Sequence, residues 1–168
     1  MKYKKIILIG MMGSGKTTVA RELSKFLNIQ LFDLDSFFEN RFRMSIKDFF
    51  KKYSENVFRI QETKLLKEIM TNKQFVLSTG GGTILSKENR AIIFRDDNLT
   101  LFLSASPEII YDRIKDDTMR PLLQVQNPKK EIENLINKRY KYYSMADKTI
   151  STDNKSIDEI IEEIKWIL

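Results

Sequence analysis

The eight residues GMMGSGKT, Gly10 to Thr17, follow directly on the apolar run IILI, and they restrict the possible folds more than any other stretch. Glycine, four residues, then Gly15, Lys16 and Thr17 is the spacing of a Walker A phosphate loop. Glycines let successive backbone N–H groups turn around an anion, Lys16 can reach the outer phosphates, and the Thr17 hydroxyl can ligate magnesium. The flanks agree, with a strand expected over Lys5 to Ile9 and a helix over Thr17 to Leu27 whose N-terminal dipole adds to the anion site. A nucleotide is therefore expected on Gly13, Ser14, Gly15, Lys16, Thr17 and Thr18.

At 168 residues, with 42% hydrophobic content and 11 phenylalanines, the chain suits one domain with one real core. It has no cysteine and no histidine. Disulfides and thiolate zinc sites are excluded, and any proton acceptor must be a carboxylate, lysine, tyrosine or water. The opening MKYKKIILIGMM has the basic-then-apolar order of a leader peptide. Its apolar run is short and its glycines belong to the phosphate loop, so it reads as a first buried strand. No run approaches the ~20 apolar residues of a membrane span, and a soluble cytoplasmic protein without a membrane partner is expected. The net charge of +6 suits anionic partners. Because lysines and arginines are spread among the acidic residues, no nucleic-acid partner is expected.

Five apolar runs, KKIILIG, IQLFDLD, QFVLSTGGG, NLTLFLSA and DKTISTD, read as short strands separated by helical patterns. The clearest helix is the last, where Ile157, Ile160, Ile161 and Ile164 repeat at helical spacing behind Ser156 as N-cap. Ser106 and Pro107 open another. This alternation implies an α/β protein with a parallel sheet covered on both faces and ligands at the C-terminal strand ends. From Lys115 to Lys130 the chain is polar, holds two of its three prolines and lacks a period, so it reads as a loop or lid.

Several groups beside these elements can carry chemistry. Asp33 and Asp35 are one residue apart, so in extended geometry both carboxylates leave one face. They could serve a magnesium ion, a substrate hydroxyl or one each, or simply end a strand and cap the next helix. Glu55, Arg59 and Glu62 share a helix side, either as a solvated ion-pair ladder or, with Phe58, Phe49 and Phe50 nearby, as the wall of a small-molecule pocket. Three consecutive glycines in STGGGT, Gly80 to Gly82, exceed what a turn needs and suggest a ligand contact. Arg120 in RPLL is either a lid cation over phosphates or a surface arginine. Arg139 is another isolated cation, beside Tyr140, Tyr142 and Tyr143.

Taken in order, GMMGSGKT, FDLD, SENVFRIQE, STGGG, RPLL and RYKYYSMAD resemble the shikimate kinase family, at about its spacing and over nearly the whole chain. The resemblance implies a three-layer P-loop NTPase fold similar to nucleoside monophosphate kinases. A five-stranded parallel sheet would be flanked by helices, with substrate-binding helices over about 34–62 and a mobile lid over about 115–128. It also implies transfer of the γ-phosphoryl of ATP, with Mg²⁺, to the 3-hydroxyl of shikimate, giving shikimate 3-phosphate and ADP in aromatic amino acid biosynthesis, by a monomer. Carried over by position, Asp35, Arg59, Gly81 with its neighbours Gly80 and Gly82, and Arg139 are the shikimate contacts, and Phe50 and Phe58 line its ring. Lys16 and Arg120 face the phosphates and share the catalytic role with Asp35. Thr17 and Asp33 take the magnesium, Arg113 stacks near adenine, and the stretch Ser151 to Asn154, Asp153 above all, meets the nucleotide.

Two positions depart from the family's pattern. Ser54 stands where glycine is usual before Glu55, and STDNK lacks a proline common in the adenine loop. Rival readings are another small P-loop kinase, acting on gluconate or a nucleoside monophosphate, and a nucleotide-dependent switch or nucleic-acid-binding ATPase. Against a guanine-nucleotide switch, NKQF and NKRY both lack the aspartate of the guanine motif.

Overall fold

The structure, a computed structural model, describes residues 3–116 and 125–168. Arg120 and residues 117–124 of the expected lid lie outside the described residues. In chain order the elements are β1 (Lys5–Ile9), α1 (Lys16–Leu27), β2 (Gln30–Asp33), α2 (Leu34–Phe42), α3 (Ile46–Lys52), α4 (Glu55–Met70), β3 (Phe75–Ser78), a 3₁₀ turn (Thr83–Leu85), α5 (Lys87–Ile93), β4 (Asn98–Ser104), α6 (Pro107–Ile114), α7 (Pro128–Tyr143), β5 (Lys148–Ser151) and α8 (Ile157–Ile167).

The five strands form one parallel sheet in the order β2-β3-β1-β4-β5. Successive side chains of a strand point to opposite faces, and the sequence fills both. Ile7, Ile9, Phe75 and Leu77 pack under α2, α4 and α7 with Phe38, Phe58, Leu66 and Tyr143. Ile6, Leu8 and Val76 pack under α1 and α8 with Val19, Leu23, Ile160 and Ile164. A sheet buried on both sides needs runs such as IILI and FVL rather than alternation. At about 25 cal/mol per Å² of apolar surface, these two layers are the main force holding the strand ends in place.

β1 and β3 are neighbours, with Leu8 opposite Ser78. The phosphate loop leaves the end of one and the triple glycine leaves the end of the other, so the topology sets two glycine loops side by side at the sheet's C-terminal edge, where open α/β sheets hold ligands.

Two local expectations need correction. β2 stops at Asp33, and Asp35 lies in the first turn of α2. The shared carboxylate face therefore does not come from extended geometry. It arises because Asp33, as N-cap, bends the chain into a helix whose first turn faces the phosphate loop. Pro128, counted as a loop marker, opens α7 at its first turn behind the N-cap Asn127, where a missing N–H costs nothing. Ser54, at a position where glycine is usual, is the N-cap of α4 at φ −87°, and its side chain accepts from Val57 N; a serine serves there as readily as glycine.

Candidate active site

α1 begins differently from every other α-helix of the described residues. Gly15 is its N-cap, at φ +92°, with no side-chain cap and no acidic residue in the first turn. Glycine takes that backbone angle without the steric penalty of a Cβ. The other seven helices begin with a serine, aspartate or asparagine whose side chain accepts a backbone N–H, and each has an acid in its first turn. The first N–H groups of a helix lack intrahelical partners and carry positive potential. At α1 no side chain caps them.

A cleft of about 340 Å³ opens over this helix end, lined by Gly13, Gly15, Lys16, Thr17, Thr18, Asp33, Asp35, Gly81 and Arg113, with Met12, Thr79 and Ile114. The Lys16 ammonium donates to the Met11 carbonyl at 2.9 Å. Ser14 is fully buried, and its hydroxyl has no partner among the described residues. The Thr17 hydroxyl donates to Asp33 Oδ2 at 2.8 Å and lies 3.3 Å from the Ser78 hydroxyl. Asp33 uses its other oxygen to accept from Ser36 N at 3.0 Å, so the capping role and the cleft-facing role coexist in one carboxylate.

Asp35 is open to the cleft, yet protein crowds it from the other sides. Its carboxyl is pushed up to about 6, first by this desolvation, then by the negative charges of Asp33, Glu62 and Glu39, against the lowering effect of Lys16. A carboxylate of that basicity accepts a proton from a hydroxyl better than an ordinary aspartate does.

Four side chains converge on the triple glycine, one at Gly80, one at Gly82 and two at Gly81. A Cβ on Gly80 would lie 2.7 Å from Asp35 Oδ1, and one on Gly82 would lie 2.5 Å from the Arg59 guanidinium. The Gly81 carbonyl accepts from Arg139 at 3.3 Å and from the Tyr143 hydroxyl at 2.6 Å. The stretch needs glycine for space, since none of the three has a positive φ. Asp35, Arg59 and Arg139 thus stand around one loop at the mouth of the phosphate cleft.

Arg59 is held by Glu62 at 2.9 Å and Glu55 at 3.2 Å. Glu62 is 1% exposed and also accepts from the Thr83 hydroxyl at 2.8 Å, so the ladder is anchored in the protein at its Glu62 end while its Glu55 end is solvated. Burial works against the Arg59 charge, but Glu62 and Glu55 outweigh it and raise its pKa. Buried Glu62, with Thr83, is a fixed strut that the spacing 55-59-62 hinted at without showing which acid goes inside.

Of the remaining expected residues, Arg113 lines the cleft and the others lie further out. Phe58 is in the core, its ring tilted against Phe38 and Phe50 and edge-on to Phe49, with the Arg59 guanidinium 5.1 Å from its ring centre. Phe50 is partly exposed beside it. Arg113 donates to the Gly13 carbonyl at 3.2 Å and to Thr152 at 3.0 and 2.8 Å, tying the phosphate loop to the loop after β5. Asp153 accepts from Ser106 N at 3.0 and 3.1 Å and braces the start of α6. Sequence reasoning passed over Met12, Thr79 and the role of Tyr143. Thr79, inside the quoted STGGGT, was the most findable of them.

A parallel sheet with a Walker loop at its C-terminal edge, an uncapped helix behind that loop, and a basic carboxylate facing it defines a P-loop phosphotransferase fold. Comparison with known proteins narrows the class. The family model for shikimate kinase matches residues 12–168. The chain is 43% identical to the shikimate kinase of Enterococcus faecalis over 95% of each chain. It is 39% identical to that of Thermodesulfovibrio yellowstonii over 96% of this chain and 92% of the relative. Among solved structures, shikimate kinase from Acinetobacter baumannii in complex with shikimate superposes with a TM-score of 0.92 at 34% identity, covering 98% of this chain and 92% of that one. The chain belongs to the shikimate kinase family, whose members are phosphotransferases that take ATP as co-substrate and an alcohol as acceptor.

Proposed function

We propose that this chain transfers the γ-phosphoryl group of ATP to the 3-hydroxyl of shikimate, with Mg²⁺, in the cytoplasm and as a monomer. One observation carries the residue assignment: Asp35, Arg59 and Arg139 meet at Gly80–Gly82 beside the Walker loop. Shikimate presents one carboxylate and three ring hydroxyls, which suits two arginines and one basic carboxylate. Each charge-assisted bond of this kind contributes about 1.5–3 kcal/mol.

The Thr17 hydroxyl and Asp33 carboxylate, 2.8 Å apart in the cleft, are hard oxygen donors that fit Mg²⁺, an ion that takes one or two protein oxygens and completes its shell with phosphate and water. When bound, Mg²⁺ supplies neutralisation of phosphate charge. The protein's own work is positioning. Backbone amides of Gly13 to Thr18 hold the phosphates, and Lys16 exchanges the Met11 carbonyl for an outer phosphate oxygen. Arg59 and Arg139 fix the acceptor through its carboxylate. Asp35 accepts a hydrogen bond from the hydroxyl that faces ATP and takes its proton as the new O–P bond forms and the bond from the γ-phosphorus to the bridging oxygen breaks, ADP leaving with that oxygen. In this reading Phe50 and Phe58 wall the acceptor side, Arg113 and the stretch 151–154 hold the adenine side, and Arg120 adds a cation over the phosphates. ATP dependence and the lack of cysteine suit the cytoplasm, and one chain supplies every group assigned to either substrate.

The test is an acceptor panel under saturating MgATP. The expected result is a kcat/KM for shikimate about 100-fold or more above those for gluconate and nucleoside monophosphates. Equal rates across the panel would contradict the assignment of the acceptor pocket.

A further inference from the structure

Tyr143 is 1% exposed and closes α7 on the core side. Its ring stacks on Phe102 of β4, with centres 4.9 Å apart and planes at 15°, which fixes where its hydroxyl can reach. The hydroxyl donates to the Gly81 carbonyl at 2.6 Å, a short bond. Arg139 stands one helical turn earlier on the same face and donates to the same carbonyl at 3.3 Å, a longer and weaker contact, while also lying 3.4 Å from the Met11 sulfur.

A carbonyl has two lone pairs, and leaving a buried one unpaired costs about as much as a lost hydrogen bond. If Arg139 were the main partner of Gly81, its turning toward a substrate carboxylate would strip that carbonyl. Tyr143 removes this competition. Gly81 itself cannot resist movement, since it lies between glycines. A flip of the Gly81–Gly82 peptide would take the carbonyl away from both donors, Tyr143 and Arg139.

We propose that Tyr143 is a positioning residue of the acceptor site: it carries the Gly81 carbonyl, so that the peptide keeps its orientation and Arg139 is released to the acceptor's carboxylate. Burial raises the phenol's pKa, against the lowering effect of the Arg139 charge and of a side-chain hydrogen bond between the two residues, so the phenol remains a donor to Gly81 through the neutral range and touches Arg139 directly as well. This inference rests on the shikimate reading above and deepens it, because it assigns the discrimination of an anionic acceptor partly to a residue that does not touch the acceptor.

The experiment compares wild type, Tyr143→Phe, Arg139→Ala and the double variant in steady-state kinetics with shikimate and ATP. Phenylalanine keeps the ring stack, so only the hydroxyl is removed. Tyr143→Phe is expected to raise the KM for shikimate about tenfold, with kcat within about twofold and the KM for ATP unchanged. In the Arg139→Ala background the same substitution is expected to change the shikimate KM by less than about twofold, because its effect passes through Arg139. A KM for shikimate unchanged in Tyr143→Phe, or an equal rise with and without Arg139, overturns the inference while leaving the shikimate reading intact. A merely structural tyrosine would lower kcat and disturb both KM values together. Should Tyr143→Phe prove too unstable for steady-state assay, the shikimate dissociation constant of the same variant, measured at low temperature, serves instead, with unchanged affinity again overturning the proposal. A wild-type enzyme that does not phosphorylate shikimate overturns both readings.

Discussion

The N-termini of α1 and α8, two helices that pack together on one face of the sheet, show how the chain separates binding from stability. α8 starts with Ser156 and Glu159 in a reciprocal capping box, which satisfies two backbone donors within the protein. α1 starts at Gly15 with nothing. The unsatisfied end is the one aimed at the cleft, so donors of the kind that α8 satisfies internally are left open at α1, where we propose that phosphate binds. The cluster around Gly80–Gly82, which we propose holds the acceptor, follows a third scheme: its charges are side chains, paired beforehand to Glu55, Glu62 or Gly81 and aimed at the same loop.

Substitutions can break this contrast from the side of the open helix end. Lys16→Ala removes the only lysine lining the phosphate cleft among the described residues and is expected to lower kcat/KM about 1,000-fold, with the melting temperature nearly unchanged. Asp35→Asn is next. Turnover with shikimate is expected to fall about 100-fold, and the rising limb of wild-type kcat/KM, centred near pH 6, is expected to disappear. The same variant has an opposite effect on the fold. Asp35 is raised from its ordinary 3.8 to about 6, so its favourable contribution is complete below 3.8 and lost as pH rises through 6. Asparagine is therefore expected to raise the melting temperature at pH 7.5 by about 2–4 °C, from about 1 kcal/mol once the side chain's open face is allowed for. The gain should vanish at pH 4.

Two smaller effects sharpen the comparison. Thr18→Glu gives α1 the first-turn acid that every other described α-helix has. It is expected to hold or raise the melting temperature while increasing the KM for ATP about tenfold, because the carboxylate opposes phosphate at the helix dipole. Ser156→Ala removes the cap of α8, and a loss of about 1 kcal/mol, or about 2–4 °C, is expected with kinetics unchanged. If Thr18→Glu instead weakened the fold and spared ATP, the open end of α1 would not be the phosphate site.

Much of this was legible in the sequence because it is local. The five strands are short apolar runs bounded by polar residues, Ser106 and Ser156 announce their helices, and the Walker loop carries its spacing on its face. The acceptor side was legible only as a set of residues. Asp35 read as strand because one residue separates it from Asp33, and only the capping bond to Ser36 shows that the chain has already turned. Glu62 and Glu55 look alike on a helix, and the Thr83 hydroxyl, 21 positions on, decides which is buried. Tyr143 read as one of three tyrosines, since its partners Gly81 and Phe102 are brought to it by the sheet. Pro128 read as a breaker because proline marks loops and first helical turns equally well.

The most direct measurement follows ADP release with MgATP at pH 7.5, with and without shikimate, and the mass of the acceptor. The account predicts that ADP release depends on shikimate and that one equivalent of shikimate 3-phosphate accompanies each ADP. ADP released at the same rate without shikimate, or shikimate recovered at unchanged mass, would contradict it.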